Sequence, residues 1–206
     1  MQCEYCPPFG ENWESTSALP PVEDICALIA TCSELGIASY RISGGEPLLY
    51  ADRVYSILEV LRGIGRDDVI LNTNGALLAA FVPRLRTSHL RKLKVSLDTL
   101  DERHFAAITG TSRLADVLSG IDAARHADLP LEINLVLLRS YLPDMWEVLE
   151  YCRERDIALK LLDLVEYDAL VRNALSPAEY AAREYYSPAR LVPELKRRFG
   201  EAKVTR

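Results

Sequence analysis

The chain reads as an α/β protein built on a parallel sheet, and three observations predict it. Short strand-like segments alternate with segments whose apolar residues recur at helical spacing, strand and helix following each other five times. That alternation implies parallel strands joined by right-handed helical crossovers. Several strands end in polar or glycine residues: Gly44-Gly45-Glu46, Asn72-Thr73-Asn74-Gly75, Ser96-Leu97-Asp98 and Asp163. In parallel α/β folds the C-terminal strand ends line the active site, and a curved, barrel-like sheet brings such ends together.

Taken in order, the chain opens on Met1-Gln2-Cys3-Glu4-Tyr5-Cys6, followed by a proline- and glycine-broken loop from Pro7 to Pro21. Ile25, Leu28, Ile29, Cys32 and Leu35 mark a helix over about 22–35, which Gly36 stops. A strand over 37–43 ends in Gly44-Gly45-Glu46-Pro47. A helix over 52–61, a strand over 68–72 and a helix over 77–85 follow. The strand at 93–97 is closed by Asp98 and leads into helices over 101–107 and 114–126. Leu131 to Leu138 is the most strand-like segment, rich in Leu, Ile and Val. A helix over 145–155, a strand over 157–164 and two helices between Pro177 and Phe199 complete the chain. The expected organisation is one domain over 1–206, in which about 166–206 forms a helical C-terminal extension.

Composition narrows the function classes. A chain of 206 residues with 49% hydrophobic and 26% charged residues is an ordinary globular protein with room for one sizeable core. A net charge of −6 gives no general pull toward nucleic acid or anionic membrane. No apolar run approaches the roughly 20 residues that span a bilayer. Among the five cysteines, Cys26, Cys32 and Cys152 sit singly in helix-like segments, as expected of reduced, buried thiols in a cytoplasmic protein.

Each chemistry-bearing motif admits more than one reading. Cys3 and Cys6 at C-x-x-C spacing suit half of a zinc site, a redox dithiol or part of an iron–sulfur loop. Gly44-Gly45-Glu46-Pro47 is either a turn into the next helix or a place where bare backbone meets a ligand. Asn72-Thr73-Asn74-Gly75 precedes a helix rather than an antiparallel strand, which favours a strand-end polar site over a hairpin. Ser96 and Asp98 share one strand face by the two-residue period, a common arrangement of little weight alone. His89, His104 and His126 have no ligand spacing and read as surface or capping residues. The charged runs around Glu147–Arg155 and Lys196–Arg198 read as solvated helix faces.

Together these motifs resemble the radical S-adenosylmethionine (SAM) enzymes, most closely the GTP 3′,8-cyclases of molybdenum-cofactor biosynthesis (MoaA-like). The resemblance is carried by Cys3-x-Tyr5-Cys6, Arg41-Ile-Ser-Gly-Gly-Glu-Pro47, Asn72-Thr-Asn-Gly75 and Val95-Ser-Leu-Asp98. It continues through Leu100-Asp101, Phe105-x-x-Ile-Thr-Gly110, Gly120-Ile-Asp-Ala-Ala124 and Ile133-Asn134. It implies a partial (β/α)6 TIM-like barrel, here lacking its first strand. It also implies a 4Fe-4S cluster held by a C-x3-C-x2-C loop, with SAM on the iron that has no thiolate. Reduction of such a cluster cleaves SAM to a 5′-deoxyadenosyl radical. By the resemblance Cys3 and Cys6 match cluster ligands, and Tyr5, Gly44, Gly45, Glu46 and Ser96 lie at SAM-contacting positions. Arg41 matches a GTP contact. The resemblance further implies a small-molecule substrate and an electron donor such as flavodoxin or ferredoxin.

The departures shape the expectation. The family's first cluster cysteine would fall two positions before Met1, which suggests that the chain begins inside its own cluster loop. Two GTP-contacting positions hold Asn72 in place of a threonine and Glu132 in place of a lysine. A SAM-contacting methionine aligns with Val165, and no cysteine follows Cys152. A carboxylate where a base faced triphosphate turns attraction into repulsion. The expectation is a cyclase-like radical SAM enzyme acting on another small molecule, a nucleotide or a sugar. The alternatives are the GTP cyclase itself, a non-catalytic SAM-binding barrel, and a thioredoxin-like dithiol protein.

Overall fold

A computed structural model describes residues 1–6, 19–165 and 176–201. Most of the loop expected after Cys6 lies outside the described residues. Five strands form one sheet: β1 (Ser39–Ile42), β2 (Asp68–Thr73), β3 (Lys92–Ser96), β4 (Leu131–Val136) and β5 (Ala158–Leu162). Their spatial order is their chain order, and every neighbouring pair is parallel. Helices fill the crossovers: α1 (Val22–Glu34), α2 (Ala51–Gly63), α3 (Leu78–Leu85), α4 (Glu102–Thr109), α5 (Leu114–His126) and α6 (Leu142–Glu154). Two more, α7 (Pro177–Glu184) and α8 (Val192–Phe199), follow β5. The architecture is the partial barrel expected, with five strands among the described residues.

The two faces of the sheet differ, and the difference follows from the side-chain period of two. One face carries Val69, Leu71, Leu93, Val95, Ile133 and Leu135, all buried in the main core. Against it pack helix stripes at helical spacing, such as Val54, Leu58 and Leu61 of α2 and Val117, Ile121 and Ala124 of α5. The other face is polar. Parallel sheets are usually covered on both sides and read as unbroken apolar runs; here the strands alternate, and the exposed Arg41, Ser96 and Lys160 lie on the second face.

Cys152 is buried as expected, and burial pushes its thiol up to about 11. Cys26 and Cys32 are not. Both are only half-buried, because α1 packs mainly on α2 beside the edge strand β1 and buries none of its residues fully. Leu28 on the same helix remains 62% exposed. No helix among the described residues is long and apolar enough to cross a membrane.

A close approach joins α5 to the turn after β2. A Cβ on Gly120 would come within 2.8 Å of the Gly75 carbonyl oxygen and of Leu78 Cβ. Gly75, at φ +81°, would in turn place a Cβ 2.7 Å from Val95 Cγ1. Gly120→Ala therefore drives a methyl into backbone that cannot yield. It should destabilise the fold by about 1–3 kcal/mol in urea unfolding, and an unchanged midpoint would refute the close packing.

Candidate functional site

The strand ends are organised by two buried carboxylates. Glu46, 4% exposed, follows the bare loop Gly44-Gly45 at the end of β1. Its Oε1 accepts from the Thr73 hydroxyl (2.6 Å) and the Leu48 N–H (3.0 Å), and its Oε2 from the Asn74 N–H (2.7 Å). The side chain thus caps the short helical turn Pro47–Tyr50 and ties the end of β1 to the end of β2. Gly44 stays exposed at φ +155°, with no heavy atom within 4 Å of where its Cβ would stand. Protein packing does not account for a glycine there; the backbone conformation does, and it leaves the loop open to a ligand.

Asp98 performs the second tie. Its Oδ1 accepts from the Val136 N–H at the end of β4 (2.8 Å), and its Oδ2 accepts from the Tyr5 hydroxyl (2.6 Å). Burial pushes Asp98 up to about 6, against the lowering pull of these two hydrogen bonds. The same N-terminal segment donates its Gln2 and Glu4 N–H groups to the Thr109 and Ile108 carbonyls (2.9 and 2.8 Å). Those are helix-end carbonyls of α4 with no intrahelical partner. Met1 shares a hollow with Glu46, Asn74 and Arg113, so the segment reaches toward the β1 and β2 ends.

Between these anchors Cys3 and Cys6 form a tight turn, the Cys6 N–H donating to the Cys3 carbonyl (3.1 Å). Cys6 beside it, with burial, raises the Cys3 pKa well above the usual range. Two soft sulfur donors brought together by one turn suit two corners of one iron–sulfur centre, and a bound metal relieves such a pair by displacing its protons. Among the described residues no third His, Cys, Asp or Glu completes a metal-binding group with them.

The positions expected on the substrate side lie on the polar face. Asn72 stands in register with Lys94, and Lys94 with Glu132, so the three form a row across β2, β3 and β4. Glu132 Oε1 lies 2.7 Å from Lys94 Nζ and its Oε2 2.5 Å from Lys92 Nζ. Burial pushes Glu132 up, but the two lysines outweigh it and hold the carboxyl below its ordinary range. Two ammonium groups against one carboxylate leave one net positive charge, so the repulsion expected from Glu132 alone is offset. Asn72 Nδ2 donates to Ser43 Oγ (3.4 Å), while the Oδ1 atoms of Asn72 and Asn134 are buried with no partner. Arg41 extends the same face on β1.

Sequence reasoning named neither Lys92 nor Lys94, although Lys92-Leu-Lys94-Val-Ser96 alternates and places both lysines on the face of Ser96. It passed over Asp98 as an ordinary strand-end residue. Because the folded chain favours the protonated Asp98 while the unfolded chain ionises near 3.9, stability falls as pH rises from about 4 to about 6. Asp98→Asn should remove that fall. Its melting temperature relative to the parent should rise across this window, and a pH-independent difference would refute the assignment.

Similarity to known proteins agrees with this arrangement. The family model described as "Radical SAM superfamily" matches residues 1–152. The GTP 3′,8-cyclase of Mycobacterium marinum is 37% identical over 203 residues, covering 94% of this chain and 56% of the relative. The probable GTP 3′,8-cyclase of Methanothermobacter marburgensis is 34% identical, covering 85% and 57%. The chain thus spans about half the length of the curated relatives it matches. Streptococcus suis SuiB bound to precursor peptide SuiA superposes with a TM-score of 0.74 at 20% identity, over 96% of this chain and 44% of that one. The coproporphyrinogen III oxidase HemN of Escherichia coli gives 0.60 at 12% identity, over 96% and 48%; these two likenesses concern the fold. With the family model covering most of its length, the chain belongs to the radical SAM superfamily.

Proposed function

We propose that this chain carries the core of a radical SAM enzyme, with Cys3 and Cys6 as two thiolate ligands of a 4Fe-4S cluster. The observation that carries the reading is the tight turn that brings Cys3 and Cys6 together, held at the sheet's C-terminal edge by Tyr5 and Asp98. SAM would lie along the strand ends. Gly44 and Gly45 offer open backbone there, Ser96 stands exposed at the end of β3, and Tyr5 lies in the cysteine loop itself. Glu46 serves that site by holding the glycine loop in shape. Bound together, cluster and SAM supply a 5′-deoxyadenosyl radical for hydrogen abstraction from substrate. The protein's residues position the reactants and exclude water, and none is assigned as a general acid or base.

The substrate would be a small molecule bearing an anionic group. Lys92, Lys94, Arg41 and Lys160 face it with only Glu132 in opposition on those rows, although the chain as a whole is acidic at −6. The unpartnered amide oxygens of Asn72 and Asn134 call for hydroxyl or amino donors, as a nucleotide or sugar provides. Asn72 and Glu132 favour a substrate other than GTP. GTP 3′,8-cyclisation is the second reading, favoured by the relatives of that name and by the two lysines around Glu132. An electron donor of the flavodoxin or ferredoxin type and a cytoplasmic setting belong to the same proposal.

Two experiments test it. Anaerobic reconstitution with iron and sulfide, then reduction with SAM present, should yield 5′-deoxyadenosine in a chain extended upstream through the expected cysteine. Cys3→Ala in the same extended chain should abolish both the product and the iron content; retained iron would overturn the ligand assignment. Calorimetric titration with GTP and with inorganic triphosphate reads the cationic row. Lys94→Gln should weaken binding about tenfold, or ~1.4 kcal/mol, and Glu132→Gln should tighten it. Indifference to both substitutions would remove the anionic-substrate reading.

A further inference from the structure

Helix α7 belongs to the segment after β5, yet it packs on the first residues of the chain. Tyr180, 3% exposed, sits in a small core with Ile108 and Leu138, against which Tyr5 and Tyr141 are packed. Glu4, beside Cys3, is itself buried at 7% exposure, and burial raises the Tyr180 pKa well above the usual range. The other end of α7 is fixed to the loop after β4. Glu184, 2% exposed, accepts from the Ser140 N–H (3.0 Å) and hydroxyl (2.9 Å) and from Arg183 Nε (2.7 Å). Tyr185 bridges Leu138, and its carbonyl accepts from Arg139 (2.8 Å). The helix begins on a capping box, Ser176 with Glu179, so its start does not depend on the segment before it.

We propose that α7 is a latch over the cysteine loop, in which Tyr180 and Glu184 are positioning residues for Cys3 and Cys6. The loop's backbone bonds to α4 hold one side of it, Asp98 holds Tyr5 from below, and α7 closes the third side through the small core against which Tyr5 packs. Tyr5 and Tyr180 bury apolar surface in that shared core, so the loop and α7 order each other. The alternation of the first strands explains nothing of this; the latch joins segments about 175 residues apart. Two thiols that must meet one metal centre need a loop held to a fraction of an ångström, and a mobile loop weakens such a site. The inference rests on Cys3 and Cys6 as cluster ligands.

Alkylation of the metal-free chain by iodoacetamide, resolved by peptide mass spectrometry, tests the latch without any metal. In Tyr180→Ala and Glu184→Ala, Cys3 and Cys6 should react about tenfold faster than in the parent, as expected for ~1.4 kcal/mol of local opening. Cys152, on the buried face of α6, should keep its parental rate, whereas a general loss of stability would raise all three together. Tyr180→Phe, which keeps the ring in the small core against which Tyr5 packs, should recover most of the protection. Should the alanine variants fail to fold, Ser140→Ala removes one Glu184 bond at an exposed position and should give a smaller, two- to threefold rise at the same two cysteines. Unchanged rates at Cys3 and Cys6, or a rise matched at Cys152, would overturn the latch. Iron retained by Cys3→Ala would sink the ligand assignment instead and leave the latch standing.

Discussion

The bond between the Tyr5 hydroxyl and the Asp98 carboxylate is the contact on which the site depends. The role proposed for the first six residues requires them to lie at the C-terminal edge of the sheet, and no strand pairing takes them there. Asp98 does so by sharing its two oxygens between Tyr5 and the last residue of β4. A carboxylate in that position is expensive, since burial raises it to about 6. Replacing both partners with apolar groups would remove the cost and the address together, because apolar packing has no comparable direction. The cost is thus tied to placement.

The polar face poses a related problem of charge. A parallel sheet with helices on one side only has to keep its other side wet or occupied. Here its middle rows carry lysines and amides around Ile70, and Glu132 is the carboxylate on the row of Asn72 and Lys94. Taken by itself, Glu132 repels an anion. Placed between Lys92 and Lys94, it instead keeps two ammonium groups close together that would otherwise push apart, and it leaves the row with surplus positive charge. The sign of a residue's effect on a ligand therefore depends on its cross-strand partners, and register sets those partners.

This explains what was legible in the sequence. The strand–helix alternation, the glycine-marked strand ends and the apolar stripes of α2, α5 and α6 are local patterns with periods of two and 3.6, and the structure reproduces them within a few residues at each boundary. The two-residue period also contained Lys92 and Lys94, but nothing local tells that they face Glu132 rather than solvent. Asp98 showed only as a strand-end polar residue, since its partners lie 93 and 38 residues away. The half-exposure of Cys26 and Cys32 was hidden for the same reason: helical spacing says which side of α1 is apolar, not how deeply its neighbour covers it. The packing of Tyr5 against the small core that holds Tyr180 of α7 is of this kind too.

Glu46 shows how such long-range ties prepare a site before any ligand arrives. Gly44 and Gly45 have little conformational preference of their own, and a free loop of two glycines would present its N–H and C=O groups in many orientations. The next residue removes that freedom. Through Thr73 and Asn74 its carboxylate locks the loop's end to β2, and through Leu48 it starts the following helical turn. Thr73 in turn accepts from the Gly75 N–H, and Gly75 is pressed against Val95 of β3. A chain of short contacts thus runs from the open glycine loop through β2 into the packed core. Loop flexibility at this sheet edge is exchanged for fixed geometry, so a ligand meeting Gly44 and Gly45 would have little left to order.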